Sequence, residues 1–162
     1  MPSLRQTYLL VFVASVILML IALYMQYGMH LEPCALCITQ RIFVISVGLV
    51  GLVAWIHNPC GRGRWAYTGI GVLAAGLGSA TAGRQLWLQS LPPDQVPTCG
   101  PGLSYILDNF PLRDALALLL KGDGNCAEVS WTLLGLSIPG WTLVAFIGFA
   151  AVFLWQALRR PL

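Results

Sequence analysis

The sequence predicts an all-α membrane protein, a four-transmembrane-helix bundle with a long loop between helices 3 and 4. Three observations predict it. Of 162 residues, 57% are hydrophobic and only 9% charged, where soluble domains carry charge on roughly a quarter. The few charges leave uncharged intervals at 6–31, 42–61, 65–83 and 129–158, each near or above the roughly 20 residues that cross a bilayer as a helix. Five of the six tryptophans, Trp55, Trp65, Trp87, Trp141 and Trp155, fall near the ends of the resulting spans, where an aromatic belt belongs. The same composition excludes a disordered tail, a nucleic-acid module, a coiled coil and a water-soluble enzyme, all of which need more polar surface. A lipid bilayer is the expected surrounding, with no nucleic acid as partner.

Span one is read at 8–29. A secretory signal peptide competes for it, but the apolar run exceeds the roughly 7 to 15 residues of an h-region and no small-x-small cleavage site follows. Span two is read at 37–57, and Glu32-Pro33 before it is a helix-start signal, with proline expected in the first turn. Span three, at 65–87, is built from small residues that recur four apart, Ala74, Gly78 and Ala82 on one line and Ala75, Ser79 and Gly83 on another. Such faces let helix backbones approach closely in lipid, so packing within the bundle is their expected use. Span four is read at 141–158. The chain is then one membrane domain, 1–162, with loops at 30–36 and 88–140 on one side. In the long loop the prolines of Leu91-Pro92-Pro93-Asp94 and Val96-Pro97-Thr98-Cys99 forbid regular helix. Leu112–Lys121, between Pro111 and Gly122, reads as a short amphipathic or wholly apolar helix on the membrane surface or packed on the bundle.

Four spans put both termini and the turn between spans two and three on one side. That side carries Arg5, Arg62, Arg64, Arg159 and Arg160 and no acid. All six acids, Glu32, Asp94, Asp108, Asp114, Asp123 and Glu128, lie opposite with only Arg113 and Lys121. The positive-inside rule makes the termini cytoplasmic and turns the acidic loops outward.

The five cysteines divide along the same line. Cys34 and Cys37 form a Cys-x-x-Cys pair in the short outward loop, Cys99 and Cys126 lie in the long one, and Cys60 sits alone in the cytoplasmic turn. An even set of outward thiols facing an oxidising compartment is expected to form disulfides. A plain staple is one reading of Cys99 and Cys126. It suits Cys34 and Cys37 poorly, because so small a loop has a modest entropic benefit and this spacing recurs where thiols exchange partners. A four-cysteine metal site is a further reading, weakened because the second pair lacks Cys-x-x-Cys spacing and has no histidine nearby; no metal is expected. Cys37 falls near the N-terminal end of span two, where the helix dipole and unpaired N–H groups favour a thiolate. Arg41 follows at i+4, so positions 34, 37 and 41 share one helical face with a cation about one turn deeper. A charge at that depth points to function; the competing reading is an arginine that snorkels back to the interface.

These residues resemble the disulfide bond formation protein B (DsbB) family of Gram-negative inner membranes. The resemblance covers essentially the whole chain. It rests on the four spans, Cys34-Ala-Leu-Cys37-Ile-Thr-Gln-Arg41, the Gly83-Arg84-Gln85-Leu86-Trp87-Leu88-Gln89 end of span three, Cys99, Asn125-Cys126-Ala127-Glu128 and the Trp131 to Gly140 approach to span four. One departure is visible, since some relatives carry histidine where this chain has Gln85.

The resemblance implies a multi-pass protein of the bacterial inner membrane with periplasmic loops at 30–36 and 88–140. It implies a protein-dithiol:quinone oxidoreductase whose catalytic residues are Cys34, Cys37, Cys99 and Cys126. A reduced DsbA-like periplasmic thiol oxidase would attack the Cys99–Cys126 disulfide at Cys99. Cys126 would then exchange with Cys34 and free Cys37 as a thiolate beside a membrane quinone, ubiquinone or menaquinone. Arg41 and Gln85 would be the quinone-binding residues. Two other readings compete: a vitamin K epoxide reductase-like enzyme, in which the resemblance would put the active Cys-x-x-Cys late in the bundle, and a non-catalytic scaffold with two staple disulfides, which would resist reduction.

Overall fold

The structure, a computed structural model, describes residues 3–98, 109, 111–122 and 124–159. Cys99 lies outside the described residues, as do Asp108, Asp123 and Arg160. Among the described residues the chain forms five α-helices: α1 (Leu4–Tyr27), α2 (Ala35–His57), α3 (Arg62–Gln89), α4 (Leu112–Lys121) and α5 (Ile138–Leu158). A 3-10 turn, Gly124–Ala127, and a small antiparallel hairpin, β1 (Thr132–Leu133) with β2 (Leu136–Ser137), connect α4 to α5.

This is a helical membrane protein. Helices α1, α2 and α5 are each long and apolar enough to cross a membrane. Helix α3, at 28 residues, is longer than any of them but the least apolar of the four, because glycine, alanine and polar residues fill it. The helices end where capping groups stand rather than where apolar character stops. Ser3 Oγ accepts the Gln6 N–H at 3.2 Å and Gln6 Oε1 accepts the Ser3 N–H at 2.8 Å. This reciprocal box starts α1 four residues ahead of the span read from hydropathy. At its other end α2 stops on Asn58, in the left-handed region at φ 48°, a conformation asparagine tolerates.

Neighbouring helices pack in the order α1–α2–α3–α5, and α5 also touches α1 and α2. Their common core is Tyr8, Val11, Val44, Val47, Ala54, Ala75, Phe146, Phe149 and Phe153. Most of the outer surface stays apolar, with Leu10, Ile17, Leu20, Ile45, Leu73 and Ile147 among the exposed side chains, as lipid contact requires.

The small residues of α3 do pack the bundle, along one seam. Gly71, Ala75, Gly78 and Ala82 are buried. A Cβ at Gly71 would stand 2.6 Å from the Phe153 ring, and one at Gly78 would overlap the Phe146 ring. Two glycines seven residues apart thus receive two phenylalanines seven residues apart on α5. Gly69, Gly76 and Gly83 face open space. The same logic brings α2 onto α1, where a Cβ at Gly51 would meet Tyr8 O at 3.0 Å and Phe12 N at 3.2 Å.

The helix ends sort into two groups. At one end Arg5 Nε donates to Trp55 O at 3.3 Å, Arg64 Nη1 to Arg159 O at 2.7 Å and Gln156 Nε2 to Leu4 O at 3.2 Å. The start of α1 and the end of α5 therefore meet the helix ends that flank the α2–α3 turn. The connections 28–34, 90–98, 122 and 124–137 gather at the other end. There α4 spans the residues predicted for it, Leu112–Lys121. It is followed by Gly122 at φ 74°, whose Cα faces Leu36 and Leu88 so closely that a Cβ would come within 2.8 and 2.9 Å of them. Only glycine meets both demands. The hairpin was not expected from sequence, because two-residue strands show no alternation. Its signal was Leu134-Gly135, both at positive φ (53° and 80°), the backbone of a tight hairpin turn.

Candidate functional site

Pro33 disfavours helix at Glu32 before it, and Cys34 takes an extended conformation at φ −71° and ψ 170° as the N-cap of α2. Its sulfur accepts the Cys37 N–H at 3.4 Å. The proline therefore precedes the cap rather than occupying the first turn as the sequence suggested. The sulfur takes the place a serine or aspartate oxygen usually holds. The spacing then sets Cys37 on the first turn, with its Sγ 3.1 Å from that of Cys34. Neither is bonded, and closing to the roughly 2.05 Å of a disulfide needs a shift of about 1 Å.

A third sulfur reaches this pair. Cys126, on the 3-10 turn, is fully buried with Leu36 and Leu88, and Cys34 packs against that cluster. Hydrogen bonding between Cys34 and Cys126, then that with Cys37, and burial push the Cys34 thiol well above its usual range. The clamp of Leu36 and Leu88 around Gly122 anchors the loop four residues before Cys126. A further tie runs from the Gly124 N–H to Thr98 O at 3.3 Å. Cys60 lies exposed at the opposite end of α2.

Helix α3 delivers Gln85 at the end of its packed seam. The Gln85 Nε2 group stands 3.4 Å from Cys34 Sγ and 3.3 Å from Cys37 Sγ, and Gln40 Nε2 donates to Gln85 Oε1 at 2.8 Å. Arg41 turns from α2 toward α1, where Nη1 donates to Gln26 Oε1 and Nη2 to Ala22 O at 3.2 Å. Among the described residues it pairs with no acid.

Cys34, Cys37, Gln40, Arg41 and Gln85 all line one cavity of about 450 Å³ between α1, α2 and the start of α5. The rest of its wall is mainly apolar, with Leu18, Met25, Val44, Ile138 and Ala145 inside and Trp131 and Trp141 toward the loop end. The hairpin forms part of that wall. It is held by Ser137 Oγ donating to Gln89 Oε1 at 2.8 Å and Trp141 Nε1 donating to Leu133 O at 3.1 Å.

A family model described as disulfide bond formation protein DsbB matches residues 4–156. The chain belongs to the DsbB family. Among curated relatives, the disulfide bond formation protein B of Saccharophagus degradans is 56% identical over 99% of this chain and 96% of its own length. That of Hahella chejuensis is 55% identical over 97% and 95%, and that of Stutzerimonas stutzeri 52% identical over 99% and 98%. Disulfide bond formation is therefore the process this chain serves, from a multi-pass position in a bacterial membrane.

In this DsbB-family chain the structure brings together Cys34, Cys37, Cys126, Arg41 and Gln85 of the residues singled out from sequence. Cys99 is outside the described residues. Sequence reasoning missed Gln40 and Gln26. An uncharged amide inside an apolar run was the available signal, since a buried amide needs a partner.

Proposed function

We propose that this chain reoxidises a DsbA-like periplasmic dithiol oxidase and passes the two electrons through its cysteine pairs to a membrane quinone. In this reading 1–162 is one domain of the inner membrane, α3 crosses it as the third of four spans alongside α1, α2 and α5, and the termini are cytoplasmic. The contact of Cys34 with Cys126 on one side and Cys37 on the other, at the wall of an apolar cavity, carries the proposal.

The electron accounting runs through sulfur. A thiolate of the partner attacks Cys99 of a Cys99–Cys126 disulfide, forming a mixed disulfide and leaving the electron pair on Cys126. Cys126 attacks Cys34 of the Cys34–Cys37 disulfide, and that bond's pair remains on Cys37. The partner's second thiolate releases Cys99, which attacks Cys126 and frees Cys34. The partner leaves oxidised, the loop disulfide is restored, and Cys34 and Cys37 hold the two electrons. Each exchange depends on thiolate fraction, leaving group and access.

The cavity suits a quinone head group: its volume falls within the roughly 300–1,000 Å³ typical of small-molecule sites, and its wall is mainly apolar, with polar side chains that include Glu32 and Glu128 as well as Arg41, Gln40 and Gln85. A bound quinone supplies a two-electron acceptor. Arg41 would hold it, with its guanidinium offering donors to an oxygen where negative charge develops. Helix α1 fixes that guanidinium through Gln26 and Ala22. The apolar wall excludes water, which strengthens this electrostatic effect.

The test is quinone reduction by purified protein given a reduced DsbA-like oxidase, followed by the loss of quinone absorbance. Wild type should turn over and Cys37→Ser should not. Turnover at the wild-type rate in Cys37→Ser would overturn the proposal.

A further inference from the structure

One buried amide touches the sulfur pair and a second bonds to the first. Gln40 and Gln85 are each 3% exposed, and a primary amide at such a place is costly unless bonded. Their mutual bond links the way the two face. Gln40 Nε2 donates to Gln85 Oε1 at 2.8 Å, which draws the Gln85 oxygen toward Gln40 while its NH2 faces the sulfurs. That group carries two hydrogens and lies at nearly equal distance from two acceptors, 3.4 Å from Cys34 Sγ and 3.3 Å from Cys37 Sγ. Flipping Gln85 alone would set its NH2 against that of Gln40 and its oxygen against both sulfurs, so the bond ties the orientation of each amide to that of the other. Gln85 Oε1 is 3.7 Å from Cys37 Sγ, a weaker claim on that oxygen than Gln40 makes.

We propose that Gln85 is a catalytic hydrogen-bond donor to the sulfur of Cys37 and that Gln40 is its positioning residue, fixing the amide so that both N–H groups point at the sulfur pair. The chemistry rests on the relay proposed above; the geometry does not. When a thiolate attacks Cys34, an S–S bond forms there, the Cys34–Cys37 bond breaks, and its electron pair stays on Cys37. An N–H group already aimed at that sulfur stabilises the charge without reorganising. Gln40 touches neither sulfur and acts only through the Gln85 oxygen. A neutral donor does this without placing another titratable group in the apolar wall.

The readout is iodoacetamide alkylation of Cys37 in the reduced full-length protein, quantified by mass spectrometry at a pH where the rate follows thiolate fraction. A hydrogen bond to a charged group changes that fraction by about 10- to 100-fold. The more basic thiolate left behind is intrinsically more nucleophilic, which offsets about half of the logarithm, so Gln85→Leu should slow alkylation about three- to tenfold. Gln40→Leu should slow it comparably, and the double variant should be no slower than Gln85→Leu, because the two act as one unit. Gln40→Asn, which keeps the amide but shortens its reach, should also slow it. It carries the comparison if Gln40→Leu does not fold. Cys126, fully buried, reports folding in the same spectra, since unfolding would accelerate its labelling while loss of the donor slows Cys37 alone. Wild-type alkylation of Cys37 in Gln85→Leu overturns the proposal. So do independent, multiplying effects of the two substitutions, or a raised quinone KM with alkylation unchanged, which would make Gln85 a quinone ligand instead. If no quinone reduction is found at all, the relay fails and the alkylation series still decides the donor.

Discussion

A methyl group added at Gly78 should separate α3 from α5, whereas one at Gly76, two residues away, should not. The Gly78 Cβ would overlap the Phe146 ring, and Phe146 is fully buried, so the ring has no open side to move into. Overpacking of this kind costs about 1–3 kcal/mol. Replacing glycine by alanine in a helix returns roughly 0.8–1.0 kcal/mol, so Gly78→Ala alone should be destabilised by about 0–2 kcal/mol. The Gly76 Cβ meets nothing within 4 Å, and Gly76→Ala should take only the gain. The helix term cancels between the two variants, leaving a difference of about 1–3 kcal/mol. At roughly 2–4 °C per kcal/mol for a chain of this size, the two Tm values should differ by about 2–12 °C. Thermal unfolding of both variants in the same detergent, followed by tryptophan fluorescence, measures it. Equal Tm values, or a higher Tm for Gly78→Ala, would refute the seam. Because Gly78 and Gln85 lie seven residues apart on one face of α3, the same displacement should carry the Gln85 amide away from the sulfurs.

Arg41→Ala should raise the quinone KM about tenfold or more, as expected for losing a charge-assisted hydrogen bond. Lysine should rescue it only partly, since it keeps the charge and loses the fork; unchanged steady-state constants per folded molecule in Arg41→Ala would remove Arg41 from the quinone site. Cys60→Ser should retain quinone reduction, because Cys60 stands at the opposite end of α2 from the sulfur cluster, and a loss comparable to that of Cys37→Ser would count against a relay confined to the other end. A membrane-impermeant maleimide on intact cells should label Thr132→Cys, on the exposed hairpin, and miss Cys60; labelling of Cys60 would invert the topology. Gly122→Ala must strain a positive φ and crowd Leu36 and Leu88, which should destabilise the loop by about 1–3 kcal/mol and accelerate alkylation of Cys126.

The sequence revealed long elements and charge-bearing residues best. Spans of apolar residues predict helices because the bilayer leaves the backbone no other partner, and α4 was legible from its flanking proline and glycine. Helix ends were less so. They follow local caps such as the Ser3–Gln6 box, and α2 begins one residue after Cys34 because a sulfur can accept the bond that starts it. The cysteines and Arg41 could be singled out because thiolate chemistry and buried charge belong to the residue type wherever it sits. Which sulfur meets which came only from the family resemblance and not from spacing, because Cys126 reaches Cys34 through the packing of Leu36 against Leu88 and Gly122, which lie far along the chain from it.

The glutamines show where the remaining information lies. Gln26 accepts from Arg41 across α1 and α2, Gln40 donates to Gln85 across α2 and α3, Gln89 accepts from Ser137 at the hairpin, and Gln156 donates to the backbone of α1 at Leu4. Every one of these bonds joins two different elements. Hydropathy passes over them, since a lone amide barely lowers the mean of an apolar span, yet Gln40, Gln85 and Gln156 are buried and Gln26 and Gln89 half-buried, where an amide is costly until a second helix or loop supplies a partner. That cost makes the amide a statement about tertiary structure, legible in kind from the sequence though not in pairing. Where two amides satisfy each other, as Gln40 and Gln85 do, the pairing also orients them, and the orientation is what turns a structural bond into a donor aimed at sulfur.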